Sequence, residues 1–159
     1  MPRSLGGQLP AALRALMDGH DLVSGEDATF LLVTCGISGW PHVAMLSVGE
    51  VLASSDRQLR LALWPGSHTT DNLTRGEMGL LMAVIPGAAY HLRLRFRRLS
   101  DATIDGAPRA LFVATLEEVL EDVVDYATIT RGIAFQLRDP TTSQRAWAAA
   151  LAALRQADA

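Results

Sequence analysis

QLRLALWPGSHTTDNL, residues Gln58 to Leu73, is the stretch on which the reading of this chain turns. Leu59, Leu61 and Leu63 alternate with Arg60, Ala62 and Trp64, the period of a half-buried strand. Pro65 and Gly66 stop that strand. Ser67, His68, Thr69 and Thr70 follow, then Asp71 and Asn72 before Leu73, a composition that opens a short helix. The first-turn N–H groups of a helix lack partners within it, and the helix dipole favours negative charge. Hydroxyls gathered there can therefore form an anion site, with phosphate as the natural guest. The same residues also suit an ordinary N-cap, in which a hydroxyl satisfies only its own helix.

Outward from this segment the chain reads as strands joined by short turns. Upstream, Leu9, Leu13, Leu16 and Met17 recur at helical spacing, which predicts an N-terminal helix over about residues 8–18. FLLVTCGI (Phe30–Ile37) and HVAMLSVGEV (His42–Val51) form a hairpin across Ser38-Gly39-Trp40-Pro41. Downstream, MGLLMAVI (Met78–Ile85) is an apolar strand closed by Pro86-Gly87. Tyr90–Leu99 alternates strictly, with Leu92, Leu94 and Phe96 on one face and Arg93, Arg95 and Arg97 on the other. Asp105-Gly106 and Pro108 mark a loop. Residues 111–124 allow two readings. Leu116, Val119, Leu120, Val123 and Val124 have helical spacing, yet Leu111-Phe112-Val113 could begin a strand pairing with Tyr90–Leu99. GIAFQL (Gly132–Leu137) reads as a final strand. Asp139 caps a C-terminal helix over about 140–156, with Pro140 at its first position. Strands this close in sequence argue for an antiparallel barrel with flanking helices, not a βαβ sheet. A single domain over 1–159 is expected.

Composition removes several function classes. A net charge of −3 gives no electrostatic case for nucleic acid. Lysine is absent, so any anion contact must use Arg, His, hydroxyls or backbone. Cys35 is the single cysteine, with no zinc spacing around it, and its apolar neighbourhood predicts a small core residue. MPRSLGGQLP lacks the apolar stretch of a secretory signal, and no apolar run approaches a membrane span, so a cytoplasmic protein without membrane partners is expected.

Three pieces in this order resemble the flavin-binding split-barrel proteins related to pyridoxamine 5′-phosphate oxidase. They are LLVTCGISGWPHVAML (Leu31–Leu46), the Leu59–Leu73 segment, and MGLLMAVI. TRGIAFQL (Thr130–Leu137) resembles the closing strand of oxidase-related members. The resemblance implies a mainly β fold, a six-stranded Greek-key split barrel. It also implies a homodimer with FMN in clefts between the subunits, and a flavin-dependent oxidoreductase acting on a small molecule. Carried over by position, Ser67, His68, Thr69 and Thr70 hold the phosphate, and Asn72 stands at the start of the short helix. Ala44, Met45, Leu46 and Ser47 run beside the flavin ring, and Leu63 and Trp64 lie near the ribityl chain. Non-catalytic flavin binding, F420, haem or no cofactor are alternatives on the same fold.

The departures from the family are specific. Ala44 stands where the oxidase has an Arg on the second strand, and His68-Thr69 replaces its Arg-Lys pair. Positive charge at the phosphate is thereby reduced. One of Arg93, Arg95 or Arg97, or an Arg of a partner subunit, could compensate. The oxidase's C-terminal substrate-binding Arg and His have no counterpart, so pyridoxamine phosphate oxidation is not expected. The acidic residues Glu117, Glu121 and Asp125, spaced for one helix face, read as a solvated surface. The Arg93/Arg95/Arg97 row reads as a solvated or salt-bridged strand face. His20, His42 and His91 are isolated in the sequence and receive no role. Trp40 and Trp64 could pack near a flavin, although large aromatics usually serve cores and interfaces.

Overall fold

The structure, a computed structural model, describes residues 1–158. The chain runs β1 (Arg3–Ser4), α1 (Ala11–Met17), β2 (Phe30–Cys35), β3 (Pro41–Leu46), β4 (Val51–Ala53) and β5 (Gln58–Leu63). It continues through α2 (His68–Gly76), β6 (Met78–Ile85), β7 (Ala88–Arg98), β8 (Ala102–Ile104), β9 (Ala107–Asp122) and α3 (Pro140–Gln156). The strands join in one antiparallel sheet in the order β3-β2-β6-β7-β9-β5-β4, with β1 and β8 added along β9. Its two edge strands, β3 and β4, follow one another in sequence through the turn at Ser47–Glu50. The sheet curls until its edges meet at that turn with no ladder between them, which makes it a split barrel.

Alternation places the core. Leu59, Leu61 and Leu63 of β5, Leu92, Leu94 and Phe96 of β7, and Phe112 of β9 all point inward and are fully or almost fully buried. Leu13 and Met17 of α1 enter the same cluster, which gives this seven-residue helix the packing that propensity cannot supply. The outer side of β5 is covered as well. Ala62 packs with Leu52, Leu111, Leu151 and Leu154, so α3 lies against β4, β5 and β9. Arg60, on that face, donates to the carbonyls of Leu154 and Ala157 at 2.6 Å each and so closes the C-terminal end of α3. The other end of α3 is capped by Asp139, which accepts from the Thr142 N–H at 3.1 Å.

Residues 111–124 resolve as the strand reading: β9 runs through to Asp122 and pairs with both β7 and β5. Opposite Arg93 and Leu94 the register slips, Arg93 facing Glu118 and Leu94 facing Leu116, so Glu117 is an extra residue. This bulge puts Glu117 and Glu118 on the same side and breaks the period of two. Arg93 pairs with Glu118 at 2.6 Å and Arg95 with Glu117 at 2.7 Å, as a salt-bridged strand face requires.

Four expectations need correction. Cys35 is exposed, because Thr34 takes the inward position and turns its neighbour out. GIAFQL forms no strand; its one bridge, Ala134 to Ala28, joins it to the segment before β2. His42–Val51 is two strands separated by the Ser47–Glu50 turn. The Asp105-Gly106 loop is a tight hairpin turn between β8 and β9, with φ of 48° and 76° at the two residues. No helix among the described residues is long and apolar enough to cross a membrane.

Candidate functional site

The turn after β5 and the start of α2 are held by their own hydroxyls. Gly66 supplies the positive φ, 71°, that lets the chain reverse. Ser67 is the N-cap, its Oγ accepting from the Thr70 N–H at 3.2 Å. The Ser67 hydroxyl donates to Thr70 Oγ1 at 3.1 Å, and the Thr70 hydroxyl donates to the Trp64 carbonyl at 2.7 Å. Thr69 and Thr70 are buried. The cap therefore occupies the hydroxyls of Ser67 and Thr70 and leaves His68 exposed at the helix mouth.

A cavity of about 370 Å³ opens between this helix and the β2–β3 turn. His42, His68, Asn72 and Arg75 line it with Ile37 and Trp40, and no acidic side chain takes part. The rings of His42 and His68 meet edge to face, 5.5 Å between centroids. Asn72 is buried; its Nδ2 donates to Thr34 Oγ1 at 3.1 Å, which ties α2 to β2. Arg75 Nη2 donates to Asn72 Oδ1 at 3.3 Å, so the same amide steadies the guanidinium. His68, Asn72 and Arg75 are spaced i, i+4, i+7 and share one face of α2. Two imidazoles, one guanidinium and free first-turn N–H groups make a donor set that fits a phosphate.

Further along β3 lies a second cavity, of about 440 Å³. Met45, Leu46, Phe135 and Trp147 give it apolar walls, and Ser47, Glu50 and Thr29 add oxygen atoms. Trp147 sits directly on Gly49, where a Cβ would come within 2.0 Å of its ring. Glu50 Oε2 accepts from the Ser47 N–H at 2.8 Å and the Ser47 hydroxyl at 2.9 Å. Burial raises the Glu50 pKa above the ordinary glutamate value, against the Ser47 hydrogen bonds and the field of Arg109. Between the two cavities β3 is a sheet edge, hydrogen-bonded to β2 alone. Its other side carries unpaired backbone groups that a flat heterocycle with donors and acceptors could meet.

The structure thus brings His68 and Asn72 into one cavity and Met45, Leu46 and Ser47 into the other. Ala44 packs against the core, so the position of the family's Arg is a methyl group turned inward. Leu63 is buried, and Trp64 is exposed beneath the Arg109 guanidinium, 3.6 Å from its ring; neither lines either of these two cavities. Arg93 and Arg95 are committed to glutamates on the outer face. Arg75 supplies the positive charge in the donor-lined cavity, and His42, to which sequence reasoning gave no role, supplies a second imidazole. Helical spacing from His68 was a signal for Arg75. His42 had none, because only the packing of the β2–β3 hairpin on α2 brings it to His68.

No family model matches the chain. The uncharacterized protein YclD of Bacillus subtilis strain 168 is 34% identical over 141 residues, 89% of this chain and 92% of that protein. Two solved structures share the fold. A candidate pyridoxamine 5′-phosphate oxidase from Lactobacillus delbrueckii superposes with a TM-score of 0.56 at 14% identity, over 74% of this chain and 98% of that one. An F420 reductase superposes with a TM-score of 0.52 at 12% identity, over 70% of this chain and 98% of that one. The chain belongs to one family with YclD and has the split-barrel fold of the pyridoxamine 5′-phosphate oxidase-related proteins.

Proposed function

We propose that this protein is a homodimeric, FMN-binding oxidoreductase acting on a small molecule, and not a pyridoxamine phosphate oxidase. One observation carries the reading: a single edge strand, β3, links a cavity lined by His42, His68, Asn72 and Arg75 to an apolar one at Leu46 and Trp147. Five residues of strand span roughly 15 Å, of the order of the whole length of an extended FMN, so the ring would lie along the β3 edge beside the apolar cavity and not within it. His68 and Arg75 would hold the phosphate, Asn72 would keep Arg75 in place, and the β3 backbone would align the ring. Bound FMN supplies hydride exchange at N5, while the protein supplies orientation and electrostatics.

The outer face of β3, β2 and β6 supports the dimer. Leu31 faces Met45 and Met82 across the strands, and Val33 faces Val43 and Leu80. Val43 and Met45 are 53% and 68% exposed. On the neighbouring strands β7 and β9 the same face changes to Arg–Glu pairs. A contiguous apolar surface bounded by ion pairs suits a second copy of the chain. The F420 reductase fold neighbour supports deazaflavin as the second reading.

The test is the visible spectrum of the purified protein before and after adding FMN and desalting. A flavin band retained by the wild type and lost in His68→Ala/Arg75→Ala supports FMN at this site. Release of all added FMN, with retention of F420 by the same protein, supports the second reading.

A further inference from the structure

We infer that the cavity at the β3–β4 turn binds an apolar or aromatic small molecule carrying an amine, with Glu50 as its counter-charge. Its size, about 440 Å³, is that of small-molecule sites. Two of the polar atoms it offers, Glu50 Oε1 and Thr29 Oγ1, have no partner among the described residues. Glu50 Oε2 is occupied by Ser47, but Oε1 accepts no hydrogen bond among the described residues. Thr29 Oγ1 is buried without any partner. A carboxylate held among apolar side chains is costly unless a cation meets it. No Arg or His lies within ion-pair distance of Glu50 among the described residues, and none lines the cavity. Arg109, whose field reaches Glu50, is engaged elsewhere, stacked on Trp64 and donating to the Pro108 carbonyl at 2.9 Å.

A cationic ligand would supply the partner that the described residues do not. An ammonium group brings charge and up to three N–H donors, enough for Glu50 Oε1 and the Thr29 hydroxyl together. Phe135 and Trp147 line the cavity with aromatic rings, which suit an apolar body and tolerate a cation. An anionic ligand of the same shape would be repelled by Glu50 and would find no cation here. This inference stands apart from the flavin reading: it concerns binding at Glu50 and requires no redox step.

Calorimetric titration of phenethylamine and of its neutral isostere, phenethyl alcohol, tests it, in flavin-free and in FMN-loaded protein. The amine should bind more tightly than the alcohol by about ten-fold or more, the scale of one charge-assisted hydrogen bond. Glu50→Gln should remove that difference and leave alcohol binding in place. Should the variant fail to fold, the wild-type comparison decides alone. Equal binding of amine and alcohol, binding of neither, or a preference that survives Glu50→Gln overturns the inference. So does loss of amine binding on FMN loading, since the ring would then occupy this cavity. Protein that takes up no FMN but prefers the amine leaves this inference standing and removes the flavin reading alone.

Discussion

His68, Asn72 and Arg75 stand on one helix face, and the buried amide of Asn72 holds the guanidinium next to the imidazole. Arg75→Ala should weaken FMN binding by about 1.5–3 kcal/mol, roughly ten- to a hundred-fold in Kd, the worth of a charge-assisted hydrogen bond. The loss should shrink at high salt, because Arg75 is exposed. Ser67→Ala should behave differently. Its hydroxyl serves the helix cap, so the variant should lose about 1 kcal/mol of stability in denaturant titration with little change in FMN affinity. At Glu50 the folded protein holds its proton more tightly than the unfolded chain does. Stability should therefore fall as pH rises from the ordinary glutamate value to the raised folded one, and level off above it. Glu50→Gln should flatten that slope, as chemical denaturation across the acid range can measure.

At the scale of elements, α3 closes the outer side of β5 and its Trp147 walls the apolar cavity. Leu154, the fully buried residue of α3, should cost about 2–5 kcal/mol as Leu154→Ala. Gly49→Ala should cost about 1–3 kcal/mol, since the new Cβ would collide with Trp147 and force it out of the wall. Thermal unfolding reads the first, and Trp147 fluorescence together with unfolding reads the second. The strands were legible in sequence where one face is core and turn residues bound them, as for β5, β6 and β7. They were illegible where another principle intervened. The bulge at Glu117 places two glutamates side by side and makes β9 mimic a helix. Cys35 misled because the outer face of β2 is also apolar, so the hydrophobic run hides which residue points inward. Gly132 and Phe135 carry strand-like neighbours, yet Gly132 packs on the end of β6, where the Val84 carbonyl leaves no room for a Cβ. Within the site, the helix face was written in the spacing of α2. The contributions of His42, Glu50 and Trp147 depend on contacts between distant segments.

For the molecule as a whole, the outer side of the curled sheet is apolar over β3, β2 and β6, ion-paired over β7 and β9, and covered by α3 over β4 and β5. A charge on the apolar face, Val43→Glu, should convert the proposed dimer to a monomer, because a carboxylate buried there would face Val33 and its neighbours without a partner. The same variant should retain its fold, since Val43 is exposed in the single chain. FMN and the dimer are linked in this account, as the edge strand β3 contributes Met45 both to the apolar cavity and to the exposed face. The most direct measurement is sedimentation velocity of FMN-loaded protein, followed at the flavin's visible absorption. One boundary carrying the flavin at the mass of two chains is the predicted result. Protein that sediments as a single chain while the flavin stays behind would contradict the account.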